Sequence, residues 1–400
     1  MPSPLITITE AQQRVIERVR RLESERVRVE DGLDRVLAED LVAAEDVPPF
    51  ASSAMDGYAV LAGAAGRLLT VVGESRAGAP SPRSLGEGEA IRISTGACVP
   101  AGATAVIAQE NVQQRDGQIE TGAAVGAGEN VRHAGEDLRA ASTVLRSGTR
   151  LGAWELGAAV AAGAAELVVT RRPRVAVLCT GDELRAPGEP LGPGEIHNSN
   201  APMLVALSER CGGLAGSAGR LADDRSATEA GLSDALERAD LVVVSGGVSV
   251  GPHDHVKPAL ARLGVQELFW GVALQPGKPT WFGVRDRTLV FGLPGNPVSA
   301  VVTFTLFVAP ALAALQGAVP ERGLELEAEL GVGVARNPRR EQALRVRLER
   351  GDGRPVATPN GPQGSHVITS LLGAHALAMI PPGTGELRAG TVVRLEELLD

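Results

Sequence analysis

Near the start of the chain Val15, Val19 and Leu22 recur at helical spacing behind Thr9-Glu10-Ala11-Gln12. Residues three and four apart share one face of a helix, so an amphipathic first helix is expected. The Thr and Gln are spaced to satisfy free backbone donors of a first turn, which puts the helix entry at Thr9. From about residue 66 to 140 the pattern shifts to short β-type runs at 68–72, 90–94 and 105–108, divided by glycine-rich turns. That spacing predicts a small all-β module. An alanine-rich helix is expected over 151–165. Beyond Arg171-Arg172-Pro173, buried-type strands at 175–179, 241–244 and 289–291 alternate with helical patterns at 201–210 and 227–238. Alternation of this kind predicts right-handed crossovers and a parallel sheet with helices on both faces. After Pro320 the chain returns to strand-like runs at 344–348 and 392–395, the mark of a small C-terminal β module.

Residues 288–320 carry no charge, and 298–315 is about long enough to span a bilayer. Pro310 lies inside this stretch, a Pro-Gly-Asn-Pro turn opens it, and no Lys or Arg flank sets an orientation. A helix apolar all round is also what a layered protein buries, so a core helix is expected.

Composition narrows the function classes. A length of 400 residues predicts two to four domains, at ~150 residues each. The net charge of −9 offers no general field for nucleic acid or an anionic membrane, and 2% aromatic residues leave no base-stacking platform. Cys98, Cys179 and Cys211 are odd in number, with no Cys-x-x-Cys, which argues against a disulfide framework or a zinc finger. With no basic or apolar leader at the start, a reducing cytoplasm is the expected location.

Four strand-to-loop junctions of the α/β part carry small and polar residues: Thr180-Gly181-Asp182-Glu183, Ser245-Gly246-Gly247-Val248-Ser249, Gln275-Pro276-Gly277-Lys278-Pro279 and Pro294-Gly295-Asn296-Pro297-Val298-Ser299. In an open parallel sheet such loops gather at the carboxyl edge, where ligands bind. Glycines let backbone N–H groups approach closely, which suits a phosphate or another oxyanion. Two motifs fail on context. Gly271 to Lys278 has one residue too many for a P-loop, and Pro279 replaces the metal-binding hydroxyl. Gly247-Val248-Ser249-Val250-Gly251 matches a nucleophile elbow, but adjacent Asp254 and His255 cannot orient one another as a triad requires. Asp56, Asp137, Glu183, Asp223 and Asp254 are each explicable alone as a cap or a solvated charge. Beside oxyanion-suited loops, they are candidates to hold Mg²⁺, which takes few carboxylates and keeps phosphates and water. His253 and His255 alternate like a ligand pair, although solvent or a ligand contact suits them better than zinc. Lys278, one of only two lysines with Lys257, is the natural point charge for an anion.

These residues resemble one family. Pro48-Pro49-Phe50 through Ser53-Ala54-Met55-Asp56-Gly57-Tyr58-Ala59 is similar to the corresponding loop of the MoeA family, the molybdopterin molybdenumtransferases. So are Ser94-Thr95-Gly96-Ala97, Gln109-Glu110, Thr180 to Leu184, Asn198-Ser199-Asn200, Ser245 to Gly251 and Leu293 to Ser299, in family order along the chain. The resemblance implies a multidomain α/β-plus-β fold and an elongated homodimer. A discontinuous N-terminal domain would cover 1–45 and 141–172, and a β-rich domain 46–140. A Mog-like α/β domain would cover 173–320, and a C-terminal β-barrel 321–400. It further implies Mg²⁺-dependent insertion of molybdate into adenylylated molybdopterin with release of AMP, and contact with other cofactor-biosynthesis proteins.

On that reading, Glu183, Asp223 and Asp254 would place Mg²⁺. Lys278 would hold molybdate, while Asp56 and Asp137 would reach in from a second copy. Substrate contacts would come from Thr95, Thr180, Gly181, Asn198, Ser199, Ser245, Gly246, Gly247, Ser249, Gln275, Pro294, Gly295, Asn296, Pro297, Ser299 and Ser365. Many relatives carry a lysine where this chain has Gln275, which bears on the choice between molybdate and tungstate. The rival readings are a Mog-fold nucleotide pyrophosphatase, which would need only the α/β loops, and a non-catalytic dimeric scaffold, which would have lost its acidic residues.

Overall fold

The computed structural model describes residues 5–248, 254–319, 326–350 and 353–399. The chain folds as two compact units, Met1–Glu25 with Asp34–Val36 and Thr170–Asp400, and Arg26–Leu33 with Leu37–Val169. The first helix, α1 (Ile8–Ile16), begins before the expected point. Its N-cap is Thr7, whose hydroxyl accepts from the Glu10 N–H at 3.1 Å, and Thr9 lies inside the helix. This register turns Ile8, Ala11 and Val15 into the core. Because α1 stops at Ile16, Val19 and Leu22 follow it in non-helical chain, half-buried against that same core.

In the second unit, six strands form one sheet: β1 (Gly57–Val60), β2 (Leu68–Ser75), β3 (Glu89–Ile93), β4 (Ala105–Ala108), β5 (Val112–Arg115) and β6 (Gln118–Thr121), in the order β4-β1-β3-β2-β6-β5. Successive side chains point to opposite faces. Tyr58, Val60 and Ile107 accordingly pack into one core, while Ala59, Ile91 and Val106 pack into another. Gly57 is required where β1 meets β4, since a Cβ there would sit 2.0 Å from the Ile107 carbonyl oxygen. The alanine-rich segment forms helix α2 (Ala153–Ala161) in this unit.

The first unit holds the α/β sheet: β7 (Val175–Thr180), β8 (Gly219–Leu221), β9 (Leu241–Ser245), β10 (Gln266–Trp270), β11 (Trp281–Arg285) and β12 (Thr288–Leu293), in the order β8-β7-β9-β12-β11-β10. The first four are parallel. The last two add an antiparallel edge that alternation alone did not predict. In this unit α1 packs on the sheet's core with α3 (Asn200–Arg210), and α4 (Arg225–Arg238) and α5 (Val256–Arg262) join a second core. β13 (Glu327–Leu330), β14 (Glu341–Glu349), β15 (Val356–Pro359), β16 (Ala376–Ile380) and β17 (Val392–Glu397) close into a barrel, in the order β14-β15-β13-β17-β16 with β16 pairing back to β14. Leu274–Gln275 joins the barrel alongside β14, which carries the Gln275-to-Lys278 turn onto it.

The uncharged stretch is a 19-residue helical run, Pro297–Leu315, and 78% of its most apolar window is buried inside the protein. It comprises α6 (Pro297–Thr303), a π turn (Phe304–Val308) and α7 (Ala309–Leu315). Pro310 has no N–H for the Leu306 carbonyl, four residues before it. The wider π turn adjusts the backbone there, and Gln12 Nε2 on α1 donates to that carbonyl at 3.1 Å. Replacing Gln12 by Ala should cost about 1–2 kcal/mol in urea denaturation, the order expected for a buried carbonyl left without its donor. Adding Pro310→Ala, which supplies an N–H, should recover most of the loss. A double variant no more stable than Gln12→Ala would show that the pairing contributes nothing.

Candidate active site

The carboxyl ends of β7, β9 and β12 converge, as a parallel sheet requires. A cavity of about 410 Å³, here pocket A, opens there in the first unit, lined by Thr180, Glu183, Asn198, Ser199, Ser245, Gly246, Gly247 and the Pro294-to-Pro297 turn. Eleven of the residues singled out from the sequence line it, although they come from four separate segments. Gly246 and Gly247 adopt φ of +91° and +65°, which L side chains rarely adopt. A Cβ on Gly246 would lie 2.7 Å from Thr180 Oγ1, and one on Gly247 would lie 2.6 Å from Val256 Cγ2. Both glycines therefore allow the turn and its close approach to the neighbouring strand.

Asn200, which the sequence reading quoted but did not place in the site, ties the pocket together. From the start of α3 its Nδ2 donates to Ser245 Oγ at 2.8 Å and to the Gly295 carbonyl at 2.7 Å, joining the ends of two strands. Its Oδ1 is buried without a partner among the described residues. An Asn next to a helix start reads from sequence as a cap, which is why its role was not legible. Cys179 also lines this cavity. Burial pushes its thiol up to about 11 against an opposing hydrogen bond from Asn198, so it stays protonated at neutral pH.

A second cavity of about 400 Å³, pocket B, shares Pro279, Pro294 and Asn296 with the first. Gln275, Lys278, Ser299 and Ser365, all singled out from the sequence, line it. Arg340 and Arg345 line it too and were not foreseen. Arg345, fully buried on β14, donates through Nε to Ser370 Oγ at 3.1 Å, and its Nη1 has no partner among the described residues. Burial pushes its guanidinium down to about 10, still charged at neutral pH. Among its described lining residues pocket B thus presents three cations and no carboxylate. Asn296 Nδ2 bonds Ser365 Oγ at 2.9 Å, fixing the barrel loop to the turn after β12. Gln275 Oε1 accepts from Asn337 Nδ2 at 2.5 Å.

The remaining expected residues are not gathered into these pockets. Asp56, Thr95 and Asp137 lie in the second unit, where Asp56 Oδ1 accepts from the Thr95 N–H at 2.7 Å and its hydroxyl at 3.1 Å. Asp223 accepts from the Asp182 N–H, and Asp182 from the Asp223 N–H, at 3.2 and 3.1 Å. Asp223, Asp254 and Gly181 do not line pocket A, and Glu183 is the one carboxylate among its described lining residues. No group of three or more His, Cys, Asp or Glu suited to a metal ion occurs among the described residues. Ser249 and His253 fall outside the described residues.

Three family models match successive parts of the chain. These are the MoeA N-terminal region (domains I and II) over residues 6–163, a probable molybdopterin binding domain over 176–314, and the MoeA C-terminal region (domain IV) over 327–398. The chain is 34% identical over 402 residues to the molybdopterin molybdenumtransferase of Haemophilus influenzae, covering 98% of each. It is also 34% identical to that of Bacillus subtilis, covering 98% of this chain and 93% of the other. A crystal structure of the molybdopterin biosynthesis protein MoeA from Pyrococcus horikoshii OT3 aligns at a TM-score of 0.83 and 30% identity, over 98% of this chain and 99% of that one.

The bridge from Asn200 predicts a measurable cost. Asn200→Ala should lose about 1–3 kcal/mol in chemical denaturation, because the Gly295 carbonyl and Ser245 hydroxyl lose their shared donor. A midpoint equal to that of the unmodified protein would show that other contacts hold the two turns.

Proposed function

Since the chain belongs to the MoeA family, and is thereby a transferase of molybdenum cofactor biosynthesis, we propose that it inserts molybdate into the dithiolene of adenylylated molybdopterin and releases AMP. The observation carrying this reading is the adjacency of two pockets of opposite character. Pocket B, with Lys278, Arg340 and Arg345 and no lining carboxylate, suits a dianionic metal oxide. Pocket A, with its glycine turn and the unpartnered Asn200 Oδ1, suits the nucleotide and pterin portions, whose N–H and O–H groups would complete that acceptor. Their shared wall of Pro279, Pro294 and Asn296 would bring oxyanion and dithiolene within reach of each other.

Mg²⁺ fits a reduced version of the expected ligand set. Glu183 alone of the three carboxylates lines pocket A, and Mg²⁺ binds through one or two carboxylates together with substrate phosphates. Glu183 would hold it, and when bound it would draw charge from the pyrophosphate. Asp56, with Thr95 fixing its carboxylate, and Asp137 would act by family resemblance from a second copy in a homodimer. Lys278 and the two arginines would orient molybdate by charge and donated hydrogen bonds. The lack of any disulfide among the three described cysteines and the buried apolar helix fit a cytoplasmic enzyme. A Mog-fold pyrophosphatase would use pocket A alone and leave the cations of pocket B without a purpose, which favours the transferase.

The test is incubation with adenylylated molybdopterin, Mg²⁺ and molybdate. AMP release should depend on molybdate, and Lys278→Gln should raise the molybdate concentration required by about tenfold, the order of one charge-assisted contact. Glu183→Ala and Asp56→Ala should slow AMP release without dissociating the dimer. Release indifferent to molybdate would favour the pyrophosphatase, and wild-type rates in both carboxylate variants would remove their assignment.

A further inference from the structure

The Arg171-Arg172-Pro173-Arg174 run, so far only a boundary in the pattern, lies at the opposite end of the strands from pocket A. Arg174 precedes β7 and Thr180 ends it, so by strand rise the two are separated by ~20 Å. A cavity of about 460 Å³ opens at that amino end, lined by Glu25, Arg35, Arg171, Arg172, Arg174 and Leu214. Arg174 forms a parallel β-bridge with Leu214. In an extended segment residues two apart share a face, which puts Arg172 and Arg174 together while Pro173 between them is buried. Leu214, 53% exposed, adds an apolar surface beside Arg174.

Most of the charge in this cavity is matched. Arg171 donates through Nη1 and Nη2 to Asp240 at 2.7 and 2.8 Å, and through Nε to Glu23 at 2.9 Å. Arg35, 9% exposed in its side chain, pairs with Glu25 and donates to the Thr170 carbonyl at 3.0 Å. Two cations are left over. The Arg174 guanidinium has only 3.5 Å contacts to the already engaged Asp240, and the Arg172 side chain has no partner among the described residues. Among the described residues the cavity's four lining guanidiniums, Arg35, Arg171, Arg172 and Arg174, are met by three carboxylates, Glu23, Glu25 and Asp240, of which Arg171 takes two, in a chain whose net charge is −9. The matched pairs hold the wall rigid, and the surplus sits on two adjacent forks.

We propose that this cavity is a binding site for an organic phosphate monoester. Its dianionic oxygens would take hydrogen bonds from Arg172 and Arg174, and its apolar body would lie against Leu214. The site is separate from both pockets of the proposed reaction and does not depend on that reading. It can be tested by calorimetric titration of the full chain, at low ionic strength, with phenyl phosphate and with inorganic phosphate.

Phenyl phosphate should bind saturably and more tightly than inorganic phosphate, and added salt should weaken it. R172Q/R174Q should weaken binding by about tenfold or more while leaving the melting temperature and molybdate-dependent AMP release unchanged. Leu214→Ser should reduce the preference for phenyl phosphate without altering the affinity for inorganic phosphate, which separates the two contacts should the double variant be unstable. Lys278→Gln, in pocket B, should leave phenyl phosphate binding intact. The proposal fails if no saturable binding occurs below about 10 mM, if binding survives R172Q/R174Q, or if it is lost in Lys278→Gln instead.

Discussion

The structure depends on a sheet strand that can tolerate no polar group except at its end. Leu241, Val242, Val243 and Val244 of β9 are each fully buried, with a parallel partner on either side and a hydrophobic core on each face. A strand so enclosed offers no surface for chemistry along its length. A ligand can therefore be reached only at the strand ends, and at the carboxyl end buried Ser245 gives way to Gly246 and Gly247, whose positive φ turns the chain. The neighbouring strands β7 and β12 end in the same layer, at Thr180 and Leu293, so their following turns face the same space. Pocket A follows from this constraint, and Asn200 fixes its width by bonding two of the three strand ends.

Charge is arranged by the same logic of local placement against an unfavourable total. The chain is acidic overall, and the field of exposed carboxylates is screened within about 8–10 Å at ordinary ionic strength. Many acidic side chains are absorbed by the backbone: Glu89, Glu129 and Glu155 each accept from the N–H of a glycine three residues earlier. Pocket B is then free to be locally cationic. Its most buried cation, Arg345, comes from the barrel rather than the α/β sheet, while Lys278 comes from the turn that follows the strand paired to β14. Neither element makes the pocket by itself.

Much of this was legible in the sequence. Period-two and period-3.6 patterns and the glycine-bearing junctions gave about half of the strands, most helices and the four loops that meet at pockets A and B, because burial and turn geometry act on neighbouring residues. The apolar run was correctly read as a core helix from Pro310 and its uncharged flanks. What tertiary structure alone decided involves residues far apart in the chain. Thr7 rather than Thr9 caps α1 because the core selects the register. The antiparallel edge of β10 and β11 depends on pairing with β12, which no local pattern encodes. Arg345, an arginine within a predicted strand, becomes part of a cationic pocket only when the barrel closes. Among the described residues Glu183, Asp223 and Asp254 form no group suited to a metal ion, and Asp223 instead bonds the Asp182 loop, an interaction across 41 residues. Sequence proximity fixes which groups can turn or alternate together, whereas which of them meet in a pocket depends on the packing of segments that are strangers along the chain.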